Sequence, residues 1–241
     1  EYNPDECVKT NVLGAQNVIK AALKTNVKRV VALSTDKACA PINLYGATKL
    51  ISDKLFVSSN SLLEDQGTKF AIVRYGNVMG SRGSVIPFFM SLGLKQDIPI
   101  TDKRMTRFMI SLEEGVELVW DAFEDMYGGE IYVKKIPSMK ITDIAYAIDK
   151  NSEQKIVGIR PGEKLHEEMI GEDDSQHTYE YDDYYKIIPA INTIFDSKDF
   201  IKKGKIVDKN FNYSSNNNKD WMSINTLQEW IKVNKNKIGK F

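Results

Sequence analysis

The stretch that most restricts this chain is an apolar run, Val30-Val31-Ala32-Leu33. It stops at Ser34-Thr35-Asp36-Lys37 and is followed one loop later by Tyr45-Gly46-Ala47-Thr48-Lys49. A short continuous apolar run fits a strand buried on both faces, as in a parallel sheet. The residues after it then emerge at the strand's carboxyl end, where open α/β sheets place their ligands. After the loop from Ala38 to Asn43 a helical pattern begins, and Tyr45 and Lys49 stand at i and i+4 on one face of it. Lys49 beside Tyr45 is expected to stabilise the phenolate and lower its pKa, while Thr35 or Ser34 is placed to hydrogen-bond a reacting oxygen. Helices often carry Tyr-x-x-x-Lys by chance. The position one loop after a Ser-Thr strand end is what gives this pair its weight.

The flanking segments alternate helix and strand. Asn3-Pro4-Asp5-Glu6 reads as a helix start, with Asn3 as cap and Glu6 reaching back as in a capping box. Val8, Val12, Ala15, Val18, Ile19 and Ala22 then supply a helical stripe to about Thr25, with Asn11 a polar residue near that face, a bracket for the loop after Ser34 or an exposed helix Asn. The strand at 29–33 follows, then a helix over 44–59, a strand at 70–75 ending in Gly76-Asn77, and a Gly-rich loop, Gly80-Ser81-Arg82-Gly83-Ser84. That loop lacks the spacing of either a Walker loop or the dinucleotide fingerprint. A helix at 87–94, a strand at 98–101, a helix at 111–126 with Ser111 and Glu114 as cap pair, and a strand at 130–133 complete this part. After Pro137 the elements shorten, with a helix at 140–150 and a strand at 156–159. From Gly171 onward apolar periodicity is weak until a final helix at 224–233, so this segment is expected to wrap the surface or to be partly disordered. No internal repeat is found. The order αβαβ predicts an α/β fold with a parallel sheet.

Composition narrows the function classes. The chain has 241 residues, 42% of them hydrophobic, enough for a sizeable core. Thirty-three basic residues balance thirty-three acidic ones, so no overall field draws it to nucleic acid or an anionic membrane. Cys7 and Cys39 lack metal-ligand spacing and suggest a reducing compartment, and no metal site is expected. No apolar run nears the roughly 18 residues of a membrane helix, and no signal-peptide pattern opens the chain, so a cytoplasmic location is expected. His166 and His177 have no nucleophile spaced to pair with them and are expected to be structural. The sequence opens on Glu1 at a helix start, which suggests an upstream portion outside these residues.

With these residues in place the chain resembles the extended short-chain dehydrogenase/reductase family, whose shared feature is Tyr-x-x-x-Lys after a Ser/Thr strand end. More narrowly, seven blocks are similar to the inverting UDP-N-acetylglucosamine 4,6-dehydratases of pseudaminic acid biosynthesis. They are Leu-Ser-Thr-Asp-Lys-Ala (33–38), Pro-Ile-Asn-Leu-Tyr-Gly-Ala-Thr-Lys (41–49), Arg-Tyr-Gly-Asn-Val (74–78), Gly-Ser-Arg-Gly-Ser-Val (80–85), Pro-Ile-Thr-Asp (99–102), Arg-Met-Thr-Arg-Phe (104–108) and Arg-Pro-Gly-Glu-Lys-Leu-His-Glu (160–167). The resemblance spans nearly the whole chain, and the order of the blocks makes it far more specific than any one of them.

What the resemblance implies is a doubly wound Rossmann-type parallel sheet, with residues 1–135 forming the remaining part of an NADP-binding domain. Residues 76–110 contribute to the substrate site, and 136–241 form a smaller substrate-binding lobe and C-terminal tail. It implies a UDP-sugar substrate, with Tyr45 as the base that oxidises C4 and Lys49 also holding the nicotinamide ribose. Thr35 belongs to the same set, and Asn11 and Gly76 lie beside the cofactor. Asp36 is implied as acid to the departing C6 hydroxyl and Lys37 as base at C5, whose reprotonation from the opposite face inverts it. An ammonium abstracts no proton until its pKa falls, so Lys37 needs burial or neighbouring cations. Asn77, Val85, Arg107, Arg160 and Glu163 are implied for the nucleotide-sugar pocket, the arginines because a guanidinium grips phosphate bidentately. Surface salt bridging is the competing expectation, chiefly for Arg104. In related enzymes the helices at 4–25 and 44–59 pair across a dimer, so a homo-oligomer is expected.

One family feature does not occur in these residues: the Gly-rich first turn, G-x-x-G-x-x-G or G-x-G-x-x-G, that holds the cofactor pyrophosphate. Three other readings share the scaffold. A nucleotide-sugar 4-epimerase or reductase needs Tyr45 and Lys49 but has no use for Asp36-Lys37. The large membrane-anchored dehydratases often carry Met where Tyr45 stands. A non-catalytic dinucleotide-binding module would have no need of the Thr, Tyr and Lys set.

Overall fold

The computed structural model describes residues 2–61, 67–93, 96–190 and 201–240. They fall into two compact units, and the chain crosses between them repeatedly. The first holds 1–75, 116–135 and 168–213; the second holds 76–115, 136–167 and 214–241.

In the first unit a six-stranded sheet runs in the order Arg29–Thr35 (β1), Lys69–Tyr75 (β2), Ile131–Lys134, Tyr184–Ile187, Thr178–Glu180 and Lys205–Ile206. The first three strands are parallel and the rest antiparallel. β2 shows why these sequences make a layered structure. Its even residues, Phe70 and Ile72, pack with Ala15, Ile19, Ala22 and Phe56 from the helices Gly14–Lys24 and Leu44–Ser58. Its odd residues, Ala71 and Val73, pack with Leu118, Ala122 and Met126 from the opposite side. Covered on both faces, its central residues 70–73 are all apolar, which is why they read as a continuous run.

The first helical stretch consists of Pro4–Val8 (α1), a π-helical turn Lys9–Leu13, and Gly14–Lys24 (α2). The capping box expected at Asn3 and Glu6 does not form. Asn3 makes no cap bond, and Glu6 pairs instead with Lys9 one turn on, at 2.8 Å. Asn43, read from sequence as loop, is the working cap of the helix Leu44–Ser58 (α3), accepting from the Gly46 amide at 2.7 Å. Such a cap contributes about 1 kcal/mol. At Ser111 the expected capping box is present, with Ser111 N donating to Glu114 at 2.8 Å and Glu114 N to Ser111 Oγ at 3.2 Å.

The segment after Gly171 departs most from expectation. Its residues 178–180, 184–187 and 205–206 are strands of the large sheet. They escape an apolar-run reading because they are built on tyrosines and carry Lys186, which is buried between the rings of Tyr132 and Tyr181 and ion-paired with Asp125.

The second unit holds a three-stranded sheet, ordered Asn77–Val78, Thr106–Ile110 and Ser138–Lys140, and a two-stranded one of Ile98–Ile100 with Gln154–Ile156. The last strand sits two residues before its expected place. Val157 and Ile159 lie outside it, largely exposed, though they read as apolar strand residues. The core of this unit gathers Met79, Ile86, Phe89, Met105, Ile144 and Leu227. Among the described residues no helix is long and apolar enough to cross a membrane.

Candidate active site

β1 ends where the sequence places the chemistry. In the parallel register Thr35 lies opposite Tyr75, and Asp36–Ala38 then turn back as one short 3-10 turn. Thr35 Oγ1 donates to Asp36 Oδ1 at 2.8 Å, and Lys37 Nζ donates to the same oxygen at 2.9 Å. Asp36 is fully buried, and its second oxygen, Oδ2, has no hydrogen-bond partner among the described residues. Lys37 is about one-third exposed at its side chain. A buried carboxylate oxygen left without a partner is uncommon in a folded protein and marks this position for a functional account.

The turn is locked to α3 by close backbone approach. A Cβ on Gly46 would lie 2.2 Å from the Lys37 carbonyl oxygen and 3.0 Å from Pro41 Cβ, so no other residue fits there without movement. Tyr45, next to it, keeps 43% of its surface exposed. Contrary to the expected lowering, the Tyr45 phenol is held above its ordinary value: burial pushes it up most, Lys37 pulls it down, Asp36 pushes it up again, and Thr35 pulls it down. The foremost cation acting on Tyr45 is therefore Lys37. Lys49, expected in that role, instead donates from Nζ to the Leu33 carbonyl at 2.7 Å, fixing the helix to the strand end.

Of the two hydroxyls open from sequence, Thr35 is the one bonded to Asp36. Ser34 points the other way, donating to Asp53 at 2.7 Å in the buried interior. Asn11 sits in the π-helical turn and donates to Thr48 Oγ1 at 3.0 Å, with Cys7 Sγ 3.3 Å from that oxygen. It brackets α3 rather than the loop. Sequence reasoning missed Tyr75, whose phenol is pushed up by burial and then by Tyr45, and Asp53, buried one turn beyond Lys49. The one available signal was their spacing: Tyr75 ends the second apolar strand, and Asp53 follows Lys49 at i+4.

The residues expected to bind the nucleotide sugar belong to the second unit. Arg107, Arg160 and Glu163 come together there. Arg107 Nη2 lies 3.7 Å from Glu163, and the Arg160 and Glu163 backbones close a turn. Arg107 is buried, and its guanidinium clasps the carbonyls of Thr106, Leu165 and Lys164 at 2.7, 3.2 and 3.1 Å, with Glu167 3.7 Å from Nε. That geometry holds the 163–167 loop and differs from an open phosphate grip. Arg160 is exposed. Asn77 sits in its strand opposite Met109, Val85 opens the helix Val85–Ser91, and Asn77 Oδ1 and Ser84 Oγ are buried without partners among the described residues. Gly76 is required as glycine, because a Cβ there would stand 2.5 Å from Phe108 Cβ.

Arg104 forms a surface pair with Asp102, whose carboxyl its hydrogen bonds hold down to about 2. His166 bonds Thr106 Oγ1 at 2.8 Å, and Thr106 in turn bonds Ser215 at 2.7 Å, a structural chain. Among the described residues no grouping of His, Cys, Asp and Glu suits a metal ion.

A family model described as "Polysaccharide biosynthesis protein" matches residues 1–189. A protein of Campylobacter jejuni subsp. jejuni named UDP-N-acetylglucosamine 4,6-dehydratase (inverting) is 57% identical over 239 residues, covering 96% of this chain and 71% of that protein. The chain belongs to the inverting UDP-N-acetylglucosamine 4,6-dehydratase family. It is thereby a member of an enzyme family, hydro-lyases by the reaction their name describes. Relatives of other activity stand further off. A protein named UDP-glucose 4-epimerase from Rickettsia canadensis is 40% identical, covering 96% of this chain and 72% of its own length. Among solved structures, Pen from Bacillus thuringiensis superposes with a TM-score of 0.85 at 36% identity, over 98% of this chain and 72% of that one. That likeness extends over both units of this inverting-dehydratase chain.

Proposed function

We propose that this protein carries out the 4,6-dehydration of UDP-N-acetylglucosamine with inversion at C5, using NADP, in the cytoplasm. Its 6-deoxy-4-keto product would feed pseudaminic acid synthesis. The observation that supports this most is the Asp36–Lys37 pair, a buried carboxylate and a half-buried ammonium 2.9 Å apart beside Tyr45. An epimerase would leave such a pair without work.

The donor set suits a nicotinamide dinucleotide. The Lys49 ammonium stands at the carboxyl end of a parallel strand with one donor on the Leu33 carbonyl, which leaves capacity for ribose hydroxyls. The bound nicotinamide would take hydride from C4 and return it to C6. Thr35 holds the C4 oxygen, and Tyr45 takes the C4 hydroxyl proton as the alcohol becomes a ketone. The ketone acidifies the C5 proton, which Lys37 removes while Asp36 gives a proton to the C6 hydroxyl leaving as water. For this the Asp36–Lys37 pair must start with its proton on the carboxylate. One proton transfer between partners already 2.9 Å apart makes the acid and the base together. A solvent proton delivered to C5 from the opposite face gives the inverted product. Asn77, Val85, Arg160 and Glu163 are assigned to the nucleotide sugar, supported by the unmet Asn77 oxygen, with Arg107 holding their loop.

The test is proton NMR of UDP-N-acetylglucosamine incubated with the protein and NADP in D₂O. A 6-deoxy-4-keto product with deuterium at C5 and inverted coupling is expected. A 4-epimer would favour the second reading, to which the Rickettsia relative points.

A further inference from the structure

Ser34, Asp53 and Arg74 come from β1, α3 and β2 and meet at one carboxylate oxygen. Ser34 Oγ donates to Asp53 Oδ2 at 2.7 Å, and Arg74 Nη2 reaches the same oxygen at 3.4 Å. Arg74 Nη1 donates to the Met169 carbonyl at 2.8 Å. All three side chains are buried. Their places in the chain make this more than an interior ion pair. Ser34 precedes Thr35, Arg74 precedes Tyr75, Thr35 and Tyr75 are register partners, and Asp53 follows Lys49 by one helical turn. A buried ion pair is often no more stabilising than an apolar replacement, so stability alone gives little reason for one here. At this junction it fixes the height of the strand end against the helix. The charged groups around it are consistent with that: Arg74 and Lys49 face Asp53, and Asp174 lies 3.8 Å from Arg74.

We propose that Asp53 is a positioning residue which, through Ser34, holds the Thr35–Lys37 turn in place against α3 beside Tyr45. The inference rests on Thr35, Lys37 and Tyr45 being the reacting set. Breaking the Ser34 bond frees the strand end, so Thr35, Asp36 and Lys37 shift together relative to Tyr45. Of the titratable groups facing Tyr45, Asp36 and Lys37 move with the turn, while Cys7 and Tyr75 lie on other elements.

The experiment compares Ser34→Ala, Ser34→Thr and Asp53→Asn in the purified protein with NADP and UDP-N-acetylglucosamine. It also titrates the Tyr45 phenol by ultraviolet difference against Tyr45→Phe. Ser34→Ala is expected to lower kcat about tenfold with KM changed less than about twofold, and to move the phenol titration to higher pH. Ser34→Thr keeps the hydroxyl and recovers the rate and the titration; Asp53→Asn loses at least as much rate as Ser34→Ala. An unmoved phenol titration in Ser34→Ala, or a rate loss that only follows the folded fraction by circular dichroism, overturns the proposal. If Asp53→Asn does not fold, Ser34→Ala decides alone. If the parent makes no dehydrated product, the proposed function fails, and the phenol titration still decides the role of Asp53.

Discussion

At the scale of single residues the proposed reaction turns on which charges surround Tyr45. Lys37 lowers its pKa against a larger upward push from burial, and Asp36 raises it in the same direction as that push. Removing the cation therefore strengthens the O–H bond. Lys37→Ala is expected to raise the pH at which the Tyr45 phenol titrates, and Asp36→Asn to lower it, by ultraviolet difference titration. In the assay, Lys37→Ala should stop dehydration while partial C4 oxidation persists, seen as cofactor reduction without a 6-deoxy product. Equal loss of both steps would remove Lys37 as the base at C5. The Thr35, Tyr45 and Lys49 trio was legible from spacing. The roles of Ser34 and Lys49 were not, because both are set by what lies across the strand end, Asp53 for one and the Leu33 carbonyl for the other.

At the scale of elements the site is a contact between a 3-10 turn and a helix. Gly46 is where that contact is closest. Alanine is the better helix former by about 1 kcal/mol, so by propensity Gly46→Ala should stabilise α3. Sterically it must push the Lys37 carbonyl away and carry the Asp36–Lys37 pair off Tyr45. We expect kcat to fall by about a hundredfold in Gly46→Ala, with circular dichroism showing the helix retained. A variant with parental kcat would show that the turn can shift without consequence. The strands after Gly171 show the limit of apolar patterning. Tyr181 and Tyr184 stack with ring centroids 4.7 Å apart, and the aromatic faces plus the Asp125 ion pair offset the burial of Lys186. Nothing in a one-dimensional pattern marks a lysine as interior when its partner is 61 residues away.

At the scale of the molecule two measurements follow. Val8, Leu13, Val18 and Ile51 are between 38% and 49% exposed on α1, the π-helical turn, α2 and α3. These apolar positions support the proposed homo-oligomer, and light scattering should give at least twice the monomer mass. A monomeric mass would remove it. His166 provides a pH test of the second unit. Desolvation first, then Arg107 and Arg104, lower its pKa below the ordinary 6.5. Between the lowered folded value and about 6.5 the unfolded state binds more protons, so stability rises with pH through that window and levels off above it. Calorimetric melting from about pH 5 to about pH 8 should show this slope, and His166→Gln should flatten it.

Local sequence was enough for β1, β2, the start of α3 and the spacing of the proposed reacting set. Apolar runs fix β1 and β2, an i, i+4 pair fixes the catalytic face of α3, and Ser111 with Glu114 fixes a helix start, all within a few residues of one another. Tertiary structure decided everything whose partner lies far along the chain. It turned Ser34 inward and Thr35 outward, set Lys37 rather than Lys49 as the foremost cation on Tyr45, and closed Arg107 over backbone carbonyls. It also drew 76–115 together with 136–167 and 214–241. Local propensities act over a turn or a strand. Burial and electrostatics are properties of what the fold brings next to a side chain, and they exist only once the chain has closed on itself.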